Sequence, residues 1–147
     1  MAAALDRLDD RLNAIEAALT TALPTRVIKR AYYRHVQDQA PADLDAGVVM
    51  LVSSGESGYR KGVGLVAREG TQDVLLVCHL RVAETASPQD IEAAEIVLIE
   101  EIKSFVRAGV AGMTLLLDRV QHSRQQAHPY GWVVATLQAA PPGSNVY

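Results

Sequence analysis

The stretch Ser53-Ser-Gly-Glu-Ser-Gly-Tyr-Arg-Lys-Gly-Val-Gly64 follows the apolar run Val-Val-Met-Leu-Val and holds four glycines, three serines and two basic residues. That composition suits a phosphate cradle, in which backbone N–H groups, a lysine and a helix N-terminus hold the anion while a hydroxyl binds magnesium. Aligned on Gly55, Lys61 falls at the lysine of GxxxxGK, but Arg60 stands where the second glycine is needed and Gly62 where the hydroxyl is needed. Val63 to Ala67 are glycine and β-branched rich and do not open a helix. The overlapping Gly62-Val-Gly-Leu-Val-Ala67 spells GxGxxA, yet Gly70 interrupts the helix a dinucleotide site requires. Gly55-Glu-Ser-Gly58 lacks the second spacer of a nucleophile elbow. The stretch is expected to be a basic-tipped hairpin loop between Val48 to Val52 and a partner strand at Val63 to Arg68.

A second group with chemical potential is the run from Arg26 to His35. Arg26, Lys29, Arg30 and Arg34 lie there with Tyr32, Tyr33 and no acid. Basic residues interleaved with aromatics can hold single-stranded nucleic acid, and Glu101-Ile-Lys103 resembles the ExK piece of a metal-dependent nuclease. That piece belongs on a strand, whereas these residues fall in a helical pattern. The other reading of the basic run is a charged edge strand that meets acids on another subunit, with Glu84, Asp90, Glu92, Glu95, Glu100 and Glu101 as the available acids. Glu95 interrupts an apolar helical arc and is expected at its edge, reaching a basic residue. His122 and His128 have no metal-ligand spacing and read as solvated loop residues. No catalytic, cofactor or metal residue set emerges.

The elements that must position these groups follow from periodicity. Leu5, Leu8, Leu12, Ile15, Leu19 and Leu23 form one stripe of a helix ended by Pro24, with Asp6, Asp9, Asp10, Arg11 and Glu16 on the polar side. Arg26 to Val36 reads as an edge strand and Gln37 to Ala46 as a loop. In Asp73 to Val82, Val74, Leu76, Cys78, Leu80 and Val82 share one face, while Leu75, Val77, His79 and Arg81 share the other. Ser87-Pro88 with Asp90 announces a helix that runs to about Ala108, with Gly109 as its stop. Ile91, Ala94, Leu98, Ile102, Phe105 and Val106 form its buried arc, leaving Ile96 and Val97 on the flanks. Strands at Met113 to Gln121 and Trp132 to Ala139 complete the order. The expected architecture is α+β: a mainly antiparallel sheet with two helices on one face, forming one domain over residues 1–140, and an extended tail over 141–147.

Composition narrows the class. The chain has 147 residues and a net charge of -3, and a chain whose main work is coating nucleic acid needs a surplus of cations. Its single cysteine, Cys78, excludes an internal disulfide. The opening residues carry no secretory pattern, and no apolar stretch approaches the roughly 20 residues that span a bilayer, so neither export nor membrane insertion is expected.

The segments LDRLDDRLNAIEAALTTALP, VVMLV, QDVLLVCHLRVA and SPQDIEAAEIVLIEEIKSFV resemble, in layout and order, the tail terminator proteins of long-tailed and Mu-like bacteriophages. That resemblance implies an α+β subunit in a hexameric ring that caps the tail tube, ends its polymerisation and joins the head connector. It also implies no cofactor and no enzymatic activity; the partners are other copies of the chain, the tube protein and the connector, with DNA contact only incidental to its passage, and the location is the virion neck. Charge and periodicity then suggest Arg26, Lys29, Arg30, Arg34, Arg60 and Lys61 on one side of the subunit contact. Glu92, Ile96, Val97 and Glu100 would stand on the other. The alternative is a small nucleic-acid-binding factor or metal-dependent nuclease working through residues 26–34.

Overall fold

The run from Thr71 to Arg81 alternates two apolar sets, so it can be covered on both sides, and it occupies the centre of the sheet. The computed structural model describes residues 7–57 and 70–140. Their order is α1 (Leu8–Ala22), β1 (Val27–Lys29), α2 (Pro41–Ala46), β2 (Val48–Ser57), β3 (Thr71–Arg81), α3 (Pro88–Ala108), β4 (Thr114–His122) and β5 (Tyr130–Ala140). The strands form one five-stranded sheet in the order β1-β2-β3-β5-β4, antiparallel at every pairing but one. The architecture is α+β, with α1 and α3 on one face.

That face is the larger core. Val49, Leu51, Val74, Leu76, Cys78, Leu80, Val133, Ala135 and Leu137 rise from the sheet to meet Leu12, Ile15 and Leu19 of α1 and Ile91, Leu98, Ile102 and Phe105 of α3. Each large aliphatic side chain buried there contributes about 1.5–3 kcal/mol relative to exposure. With so few aromatic residues, this aliphatic layer carries the fold.

The exception in the sheet corrects an expectation. β1 pairs parallel with β2, Val27 opposite Val48 and Lys29 opposite Met50. Parallel neighbours need a crossover of a dozen or more residues. Residues 30–47 supply it, and they hold the helix α2 where a plain loop was expected. Proline fits the first turn of α2, whose buried Leu44 joins Val48, Met50 and Val77 on the second face of the sheet. Arg81 grips Asp45 with two hydrogen bonds of 2.8 and 2.9 Å, and the guanidinium holds that carboxyl below the usual carboxylate range.

Three further expectations change. The strand expected from Arg26 to Val36 contracts to Val27–Lys29. Arg11, placed on the polar side of α1, is fully buried, because its long stem reaches over the sheet end and Nη1 donates to the carbonyl of Gly70 at 2.8 Å. The strand beginning at Val48 continues through Ser57, so the start of the glycine-rich stretch is strand; Gly55, at φ +153, sits beside a register shift against β3. Its antiparallel partner is β3. The expected partner Val63 to Arg68, the basic tip with Arg60 and Lys61, and the tail 141–147 lie outside the described residues. No helix among the described residues is long and apolar enough to cross a membrane.

Candidate interaction surface on helix α3

Helix α3 is set by its ends. Ser87 caps it by accepting from the Asp90 N–H at 3.3 Å, while the Asp90 carboxylate accepts from the Ser87 N–H at 2.9 Å, a reciprocal box. Gly109, at φ +77, ends it by turning left-handed, where a side chain would be strained. Between these ends the apolar residues exceed what one sheet face can cover. Ile96 is 46% exposed and Val97 55% exposed, as the spacing predicts.

Ile96 stands between two concavities. On one side is a largely apolar groove of about 510 Å³ lined by Ala22 of α1 and by Val97, Phe105 and Ala108, with Glu100, Glu101 and Ser104 at its polar margin. On the other is a polar cleft of about 860 Å³ between the first turns of α3 and the β4–β5 connection, lined by Glu92, Glu95, His122, Arg124 and Trp132. The surface therefore presents an apolar ridge with a largely apolar hollow on one flank and a charged hollow on the other.

The floor of the polar cleft overturns the expectation for Glu95. Its carboxylate is only 1% exposed and meets no Lys or Arg among the described residues; Ser123 donates its hydroxyl to Oε2 at 2.5 Å, and His122 Nδ1 lies 3.8 Å from Oε1. Gly131 makes room for it, since a Cβ there would come within 2.7 Å of Oε2. A buried carboxylate is costly unless it is hydrogen-bonded. The Ser123 hydroxyl provides that hydrogen bond, and with His122 close by it ties α3 to the end of β4. The three residues do not form a nucleophile triad, because in a triad the histidine stands between serine and carboxylate; here the carboxylate is in the middle. His122 ends β4 beside Glu95, and half-buried His128 shares a hydrogen bond with the carbonyl of Ala86, so neither is a merely solvated loop residue. Among the described residues no group of three or more His, Cys, Asp or Glu could hold a metal ion.

The basic run divides. Arg26 is held inside its own chain: Nε and Nη2 donate to the two Glu101 oxygens at 3.2 and 2.6 Å, and Nη1 donates to the Ala46 carbonyl at 3.0 Å. Gly47, at φ +90, is required beside it, since a Cβ would come within 2.7 Å of Nη1. Lys29 pairs with Asp43 at 3.3 Å and sits 5.0 Å from the centre of the Tyr33 ring. Arg30 meets Asp9 at 3.4 Å and Asn13 at 2.7 Å. Arg34 is exposed and forms no ion pair among the described residues, and Tyr32 beside it is 56% exposed.

Of the predicted interface residues, the fold gathers Glu92, Ile96, Val97 and Glu100 on one exposed face of α3. Glu92 accepts from Gln125 at 3.0 Å and Glu100 pairs with Lys103 at 3.0 Å. Arg26, Lys29 and Arg30 serve contacts within the chain. Sequence reading missed Ser123, the partner of Glu95, and Phe105 and Ala22 as walls of the apolar groove; only their packing against distant elements reveals them. No protein-family model matches the sequence, and none of the curated proteins matches it.

Proposed function

We propose that this protein is a structural assembly subunit of the tail terminator kind, forming a ring that caps a phage tail tube and offers a surface to the head connector. The observation that carries the reading is the exposed apolar pair Ile96 and Val97 on a firmly capped helix, flanked by a largely apolar groove. An exposed apolar pair beside a largely apolar groove suits the centre of a protein contact, which is more apolar than the surrounding surface. The α+β sheet with α1 and α3 on one face agrees with the subunit that the resemblance implies.

The competing reading, a nucleic-acid-binding factor built on residues 26–34, loses support because three of its four cations are committed to carboxylates of the same chain. Counterion release needs cations free to meet phosphates.

Native mass spectrometry across a concentration series tests the proposal. A closed ring gives one discrete multiple of the monomer mass with no larger species growing from it. Monomer at every concentration, or an open-ended series of larger species, contradicts it.

A further inference from the structure

The described residues expose three large hydrophobic side chains, Tyr32, Ile96 and Val97, and these form two patches of different charge. Tyr32 lies two residues before exposed Arg34, which forms no ion pair among the described residues, and two after Arg30, which is held by Asp9 and Asn13. Ile96 and Val97 stand beside a cleft whose lining holds two carboxylates, Glu92 and Glu95, against one guanidinium, Arg124. Glu92 is held by the neutral amide of Gln125, so its charge is not neutralised there. Glu100, by contrast, already has Lys103.

Among the described residues no hydrogen bond or ion pair joins the two patches within the chain. The segment after β1 turns toward the second face of the sheet, where Tyr33 packs on the cluster of Leu44, Met50 and Val77. Helix α3 covers the first face.

We infer that these patches are the two halves of one repeating contact, in which Tyr32 and Arg34 of one copy dock astride Ile96 of the next. Tyr32 fills the apolar groove beside Val97, and Arg34 reaches the Glu92 carboxylate in the polar cleft. Tyr32 and Arg34 are both exposed and only two residues apart, so one short segment carries an aromatic ring and a cation to the two flanks of the ridge. A contact between different patches on each copy is head-to-tail, the kind that propagates until a rotation closes it. This contact rests on the assembly reading above and gives it a defined interface.

Engineered cysteines test it, because native Cys78 is buried and its burial pushes the thiol up to about 12, leaving it silent toward mild oxidants. Tyr32→Cys and Val97→Cys chains, mixed and oxidised, are expected to give a linked dimer that requires both variants. The double variant is expected to give a ladder of higher species. In parallel, Arg34→Glu should weaken assembly by about tenfold or more, and Glu92→Arg in the same chain should restore much of it. Links only between two Val97→Cys chains would mean a symmetric α3 contact and overturn the inference, as would an unchanged affinity for Arg34→Glu. If native mass shows assembly while the 32–97 link is absent, this contact fails and the assembly reading stands. Monomer throughout removes both.

Discussion

Arg26 and Arg34 belong to the same basic run, yet one is turned inward and the other outward. Arg26 is locked into Glu101 by two hydrogen bonds and into the Ala46 carbonyl by a third, whereas Arg34 meets no acid among the described residues. Helix α3 divides in the same way: Glu101 and Glu95 are absorbed by the fold, while Glu92, Ile96 and Val97 remain on the outside. Formal charge along a sequence therefore overstates what a surface can offer a partner. The structure consumes part of it as intramolecular compensation for groups removed from water, and the remainder is the part open to association.

The sharpest way to break this division uses one residue type on one helix. Ile102→Ala, at a fully buried position, is expected to cost about 2–5 kcal/mol of unfolding free energy by transfer and cavity terms together. Ile96→Ala, six residues earlier and half-exposed, is expected to stay within about 0.5 kcal/mol. Urea unfolding of both measures the contrast, and equal losses would mean that Ile96 is not a free surface residue.

The basic run offers the next largest effect. Arg26→Ala removes charge-assisted hydrogen bonds from a site where the arginine side chain is only 16% exposed, and should cost about 1.5–3 kcal/mol. Arg34→Ala should leave stability within about 0.5 kcal/mol. Both are read by the same unfolding curves, and a large loss for Arg34 would place it in the fold and outside any docking contact.

The smallest effect is a pH dependence on the inward-facing side. Burial holds the pKa of His79 below its ordinary 6.5, and Gln39 Nε2 lies 2.6 Å from its Nδ1. As pH falls below about 6.5 the unfolded chain takes up this proton before the folded one, so stability declines until the lower folded value is passed. His79→Gln should remove that part of the slope, measured as melting temperature against pH. An unchanged slope would mean the ring is protonated without cost in the folded state.

Much of the fold was legible because it is written in local spacing. The Ser87-Pro88-Asp90 start and Gly109 stop of α3 are local, and so is the alternation that splits β3 into two faces. The exposure of Ile96 and Val97 followed from the width of one helical arc. What was not legible depends on partners brought close by the sheet. Ser123 meets Glu95 from 28 residues away, and Glu101 meets Arg26 from 75 residues away. The parallel seat of β1 needs the length of the crossover, which no residue in β1 announces. Two misreadings did carry a signal. Arg11 lies three residues after Leu8 and four before Ile15, inside the stripe, and Glu95 lies four after Ile91 and three before Leu98, inside the arc. In both cases helical geometry placed the residue inward and its charge argued for outside; geometry prevailed because a backbone carbonyl or a serine hydroxyl was there to satisfy it.

On the proposed function, the outer face of α3 is an assembly surface on a subunit that folds without it. Sedimentation equilibrium of the wild-type chain beside an Ile96→Asp/Val97→Asp variant tests this most directly. The wild-type mass is expected to rise with concentration to a fixed multiple, and the variant to remain a folded monomer with an unchanged unfolding midpoint. Identical masses for the two chains, with the fold intact in both, would contradict it.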